Sequence, residues 1–358
     1  MEFELGESRN LYKSTVERFV GSFDSGLRNA QRREPAGFSR SRWSELAALG
    51  FLHLVIGEQQ GGLGGDAGDA SVVAQALGYG LAAEPWVECG FWPTLLLQER
   101  SVSAGIASGD RICAVAFSEP GREGDWSAQT TLAEPVGDDF RLSGEKVLVL
   151  GGADAELFVV TAAHLGKTLC FLVPRDRAGL SVHPYRIIDG SNAALVRLDQ
   201  VMVTAEDRAC TGEAFRQSIV AAMLMASAEI VGLAQRLFDE TLAYVKTREQ
   251  FGQPIGRFQV IQHRMVDHYV SLEKARSTLL WAIEEGWHGD VRQIAGAKAF
   301  IAQRARDIAH DSIQLHGGMG ITDELLVSHA MKRIVLLSKI FGDPVHGIRL
   351  FGGSDDRI

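Results

Sequence analysis

The sequence predicts an α+β fold in three consecutive parts: an N-terminal helical domain, a middle antiparallel β-domain and a C-terminal four-helix bundle. Three observations carry this. Apolar residues recur at helical spacing between glycine-rich loops over residues 1–107. Short alternating or β-branched runs separated by turn formers fill 108–210. Long amphipathic stretches with short links occupy 211–358.

In the first part, Trp43, Leu46, Ala47 and Leu49 share a helical face, and Gly50 supplies a C-terminal stop. Gly61-Gly62-Leu63-Gly64-Gly65 follows no strand, so it reads as a turn before a helix over Asp69–Tyr79 rather than a phosphate cradle. In the second part the strands are expected at Ile112–Phe117, Lys146–Leu150, Leu157–Thr161, Leu169–Val173 and Ala194–Leu198, with turns at Glu134–Asp139 and Asp189–Asn192. In the third, helices are expected over Ala214–Thr247, Phe258–Glu285, Val291–Leu315 and Glu324–Leu337.

Bulk properties narrow the function. A chain of 358 residues can bury a large core and hold two or three domains. Hydrophobic content of 46% and charged content of 23% are ordinary for a soluble globular protein. A net charge of −9 with no compensating Lys/Arg run argues against nucleic acid. No apolar run approaches the ~20 residues that span a bilayer, and the acidic start Met1-Glu2-Phe3-Glu4 has no apolar signal core. A cytoplasmic protein is expected. Cys89, Cys113, Cys170 and Cys210 show no Cys-x-x-Cys spacing, so they read as inert thiols, with a thiol catalyst as the alternative. No His/Cys/Asp set has metal-ligand spacing.

Two runs carry the chemistry. One is Arg248-Glu249-Gln250-Phe251-Gly252, continued by Phe258-Gln259; the other is Gln314-Leu315-His316-Gly317-Gly318. Arginine offers a planar, permanently charged fork to phosphate oxygens, and adjacent glycines let a backbone approach a ligand closely. In this order the runs resemble the acyl-CoA dehydrogenase flavoprotein family, over nearly the whole chain. The resemblance implies FAD as cofactor, an acyl-CoA substrate and an electron-transfer flavoprotein as acceptor. It also implies that Arg248, Phe251, Phe258, Gln259, Gln314, Gly317 and Gly318 grip the dinucleotide end of a flavin lying on a neighbouring subunit. Ser118 in Ser118-Glu119-Pro120-Gly121 stands where the family has a threonine beside the flavin ring.

The same comparison exposes departures. The family's Trp-x-Thr strand on the flavin becomes Leu148-Val149-Leu150, which leaves at most a backbone contact to the ring. Dehydrogenation needs a carboxylate to take the α-proton while the β-hydrogen leaves as hydride. The family's two positions for that carboxylate fall on Phe341 and Ala222. Two nearby carboxylates are candidate substitutes. Glu229, a lone acid in an apolar run, is either ion-paired or functional. Asp343 is either a turn residue before Pro344 or a base.

These features resemble the small subunits of heteromeric bacterial acyl-CoA dehydrogenases of the pimeloyl-CoA, cyclic-acid or steroid type, which complete a partner's FAD site. A self-sufficient homo-oligomer using Glu229 or Asp343, or a scaffold that binds no flavin, are the alternatives.

Overall fold

The computed structural model describes residues 6–353 apart from 123, 127 and 128. The helical first part contains α1 (Glu7–Val20), α2 (Ser25–Gln31), α3 (Arg40–Ala48), α4 (Ala67–Tyr79), α5 (Trp92–Leu96) and α6 (Ser103–Ala107). Gly50 takes φ 87° directly after α3, the left-handed stop expected of it. The glycine-rich loop before α4 ends in a capping box: Asp66 accepts from the Asp69 N–H at 2.8 Å, and Asp69 accepts from the Asp66 N–H at 3.0 Å. Arg9 on α1 pairs with both acids, so the two helices are joined at that cap.

The middle part is one sheet of β1 (Cys113–Ala116), β2 (Leu132–Val136), β3 (Asp139–Leu150), β4 (Leu157–His164), β5 (Lys167–Pro174), β6 (Leu180–Arg186), β7 (Asn192–Val203) and β8 (Arg208–Cys210). The strand order is β6-β7-β3-β2-β4-β5-β8, with β1 beside β4. The sheet is mixed rather than wholly antiparallel. The β2–β3 hairpin is inserted between β1 and β4, and the chain returns in its original direction, so β1 runs parallel to β4. The turn expected over Glu134–Asp139 shrinks to Gly137-Asp138, because Gly137 at φ 63° reverses the chain in two residues and Val136 pairs with Asp139.

The third part holds α7 (Gly212–Thr247), a hairpin of β9 (Glu249–Gln250) and β10 (Gln253–Pro254), then α8 (Gln259–Glu285), α9 (Val291–His316), α10 (Leu326–Lys339) and α11 (Pro344–Phe351). The four long helices match the expected stretches to within two residues at each end. α7 is long and apolar enough by composition to cross a membrane, but 94% of that apolar window is buried inside the protein. It crosses α4 at backbone contact. A Cβ on Gly78 would lie 2.3 Å from the Glu229 carbonyl oxygen, and one on Gly232 would lie 2.1 Å from that of Gln75. Both crossings require glycine.

One apolar core runs through all three parts. At its heart is a charge cluster. Arg333 on α10 donates from Nε to Glu229 Oε1 on α7 at 2.6 Å. Its Nη2 donates to Glu88 Oε1 in the π-helical turn Trp86–Phe91 at 2.9 Å. Its Nη1 reaches Asp189 Oδ2, in the β6–β7 turn, at 3.3 Å. All four side chains are buried. Burial opposes charge on Arg333, yet Glu229, Glu88 and Asp189 together raise its pKa well above the usual range. One guanidinium therefore ties helical domain, sheet and bundle together.

A second buried cation sits under the turn before α11. Lys298 of α9 donates to the Gly342 carbonyl at 2.8 Å. Burial lowers its pKa to about 7, against an opposing pull from Asp343.

Arg333→Met leaves three buried carboxylates without their countercharge. Breaking a buried pair typically costs about 3–5 kcal/mol, so the urea midpoint should fall accordingly; an unchanged midpoint would show the cluster to be dispensable. Lys298 predicts a pH effect. Between pH 7 and 10.5 the unfolded chain holds a proton that the folded chain lacks, so stability rises with pH across that window. Lys298→Met should flatten the rise, measured as unfolding free energy against pH. A slope equal to wild type would show that the folded amine is charged.

Candidate functional site

Two surfaces correspond to the two halves expected of a flavin site. The first is the end of the bundle where α7, α8 and α9 terminate or begin. A small apolar cluster of Val245, Met265 and Leu315, packed by Leu242, Ile255 and Ile261, draws these ends together. The rings of Tyr244 and His316 stack at 4.2 Å between centroids. This packing brings the Arg248 run and the Gln314 run to one place, although 66 positions separate them in the chain (314 − 248).

The side chains there are presented, not buried. Arg248, Phe251, Gln259 and Gln314 are exposed, and Phe258 is half-buried. The Arg248 guanidinium has no hydrogen bond or ion pair among the described residues. Phe251 and Gly252 form a two-residue reversal between β9 and β10 at φ 57° and 79°. Positive φ is costly for a phenylalanine, and it holds the ring 91% exposed with its edge toward Phe258 at 6.2 Å. Gly317 at φ 63° ends α9. Gly318 has ordinary φ, and a Cβ there would meet nothing within 4 Å. Nothing inside this chain requires glycine at 318. An exposed unpaired arginine, an aromatic and an open glycine corner fit the phosphate and adenosine end of a dinucleotide.

The second surface is the chain's own cleft beside β3, and it is closed. Ser118 is buried, and its hydroxyl oxygen accepts from the Gly124 N–H at 2.8 Å. Leu148 bulges out of β3 at φ 50°. The backbone contact left open at this position is taken: the Leu148 N–H donates to the Tyr185 hydroxyl at 2.8 Å. Phe341, at φ 57°, fills the space in front of these residues. Its ring packs edge-on against Trp92 at 5.0 Å and stacks on Phe117 at 6.1 Å. What remains is a cavity of about 20 Å³ lined by Glu88, Trp92, Phe117, Ser118, Leu148 and Phe341 among others. That is room for a single water.

Neither candidate base lines this cavity. Glu229 is committed to Arg333 through both carboxylate oxygens, which is the ion-paired alternative for that residue. Asp343 caps α11: it accepts from the His346 N–H at 2.9 Å and from Lys339 at 3.1 Å. Burial opposes its ionisation, but these donors hold its pKa below the ordinary value, which makes it a weak proton acceptor. Ala222 is fully buried.

Sequence reasoning missed Glu88. It lines the cavity, and its Oε2 has no hydrogen-bond partner among the described residues. Burial pushes its pKa up, and the Glu229 charge adds to that while Arg333 opposes it. The signal that singled out Glu229, a lone acid in an apolar run, is also present in Trp86-Val87-Glu88-Cys89-Gly90-Phe91. Lys146 was also missed. It is buried against Glu119 at 2.7 Å, where burial lowers its pKa to about 8. That pair holds the loop following Ser118 onto β3.

Comparison with known proteins identifies the family. Family models for the N-terminal, middle and C-terminal domains of acyl-CoA dehydrogenases match residues 7–95, 114–201 and 214–343, in that order. A probable acyl-CoA dehydrogenase of Bacillus subtilis, YngJ, is 28% identical over 365 residues, spanning 94% of this chain and 95% of that one. The Tcur3481-Tcur3483 steroid ACAD G363A variant superposes with a TM-score of 0.88 at 26% identity, covering 97% and 96% of the two chains. The ChsE4-ChsE5 complex of Mycobacterium tuberculosis shares the fold at a TM-score of 0.91, with 24% identity and 100% coverage of both. With all three domain models matched along most of its length, the chain belongs to the acyl-CoA dehydrogenase family of FAD-dependent oxidoreductases acting on CH–CH donors.

Proposed function

We propose that this chain is the half-site subunit of a heteromeric acyl-CoA dehydrogenase. It holds the dinucleotide end of an FAD whose ring lies on the β-domain of a longer partner chain. One observation carries the reading: the gripping end around Arg248 and Gln314 is open and unpaired, while the chain's own cleft is filled by Phe341. A chain built this way gives half a site and does not receive one.

When bound, FAD supplies the hydride acceptor for the acyl β-carbon. This chain's residues act at the other end of the cofactor. Arg248 would hold the pyrophosphate oxygens with its fork of N–H donors. Phe251 and Phe258 would cover the adenosine, and Gln259 and Gln314 would supply amide hydrogen bonds. Gly317 and Gly318 let the α9 terminus come close. The α-proton is taken by a carboxylate of the partner, since Phe341 and Ala222 have no group that accepts a proton. The two-part designation of the Tcur3481-Tcur3483 steroid ACAD supports a paired assembly, and its name directs the substrate search to steroid-derived acyl-CoA esters. An electron-transfer flavoprotein would be the electron acceptor of such a complex.

Flavin absorbance against protein in the purified complex tests this directly. One FAD per pair of unlike chains is expected, and this chain purified alone should be colourless. One FAD on every chain would overturn the half-site reading. Within the complex, Arg248→Ala removes a charged hydrogen bond worth ~1.5–3 kcal/mol, so FAD retention should weaken by about ten- to a hundredfold. Wild-type retention in a dialysis titration would show that Arg248 does not meet the cofactor.

A further inference from the structure

We propose that Cys170 and Cys210 form an intramolecular disulfide when the folded protein meets a hydroperoxide, a modification site that staples β5 to the strand leading into the bundle. The two residues are direct partners in the antiparallel β5–β8 pair. Directly opposed residues in such a pair have Cα atoms about 4.5–5.5 Å apart, which lies inside the ~4.4–6.8 Å span of disulfides. Both thiols are free.

The Cys170 thiol is held well above the usual pKa range, first by its hydrogen bond with Cys210 and then by burial. A bulge between Cys170 and Phe171 lets the short strand β8 adjust where the bond would form.

Exposure assigns the order of events. Cys170 is fully buried, whereas Cys210 is partly exposed. The Cys210 thiolate attacks one peroxide oxygen, the O–O bond breaks, and the departing hydroxide takes up a proton as water. Cys210 is left as a sulfenic acid. The Cys170 sulfur then attacks the Cys210 sulfur, and its proton leaves with the sulfenic hydroxyl as a second water. The two sulfurs lose two electrons and the peroxide gains them.

The other two thiols stay out of this chemistry. Cys89 and Cys113 are both fully buried.

The bond would act at a junction. Cys210 immediately precedes Thr211, whose hydroxyl caps α7 by accepting from the Ala214 N–H at 3.1 Å. Cys170 is opposite Thr161 on β4, and the Thr161 hydroxyl accepts from Lys146 at 3.1 Å. Oxidation therefore ties the start of the longest bundle helix to the strands that support the Ser118–Glu119 loop.

The test treats the folded full-length chain with hydrogen peroxide, blocks free thiols with an alkylating agent after unfolding, and digests with trypsin without reduction. The expected product is peptide 168–175 joined to peptide 209–216, two hydrogens lighter than their sum and separated by dithiothreitol. Cys89 and Cys113 should be recovered alkylated. Cys210→Ser should abolish the linked product and leave Cys170 alkylated. Recovery of both Cys170 and Cys210 as alkylated thiols, conversion of Cys210 to sulfinic acid, or linkage only between chains would each overturn the proposal.

Discussion

Arg333 is the constraint on which the rest of the structure depends. Its guanidinium binds one carboxylate from the N-terminal part, one from the β-domain turn and one from the bundle, all out of water. A cluster of three acids around one cation is tolerable only if each keeps its place. The acids are fixed by surroundings that do not depend on Arg333. Glu229 sits on α7 where glycine contacts press that helix onto α4. Asp189 also accepts from the Ser191 N–H and hydroxyl. Glu88 sits in a π-helical turn, a geometry that interrupts a helix to aim a side chain. The relative placement of the three domains follows from these commitments.

That placement also decides the fate of the cleft. Glu88 gives one oxygen to Arg333, and the same residue lines the small cavity beside Phe341. Trp92, directly after the π-helical turn, meets Phe341 edge to face. Phe341 is held in a left-handed backbone conformation with Lys298 donating to the next carbonyl. Non-glycine residues keep such conformations only where the surroundings over-determine them. Here the aromatic contacts and the buried lysine do so, and the ring leaves a cavity of only about 20 Å³ beside Ser118 and Leu148.

Much of the fold was legible in the chain because periodicity and caps are local. The four long helices follow apolar repeats, and Thr211, Asp290 and Asp343 each cap a helix with their own side chains. The parallel pairing of β1 with β4 was not legible. Strand direction depends on which later strand returns beside an earlier one, and no run of five residues records that. Glu229 was recognisable as exceptional but not as paired, because its partner lies 104 positions away on another helix.

By itself the sequence determined the order of the parts, carried the motifs whose resemblance pointed to the family, and singled out Arg248 and Gln314 as candidates for holding a dinucleotide. Each of these is a matter of residue type at a spacing along the chain. Only the tertiary structure decided that the cleft is shut, that Tyr185 takes the Leu148 N–H, that Glu229 belongs to Arg333, and that Cys170 faces Cys210. Those facts arise where distant segments meet, and shape, burial and hydrogen-bond pairing between such segments are properties of the packed chain.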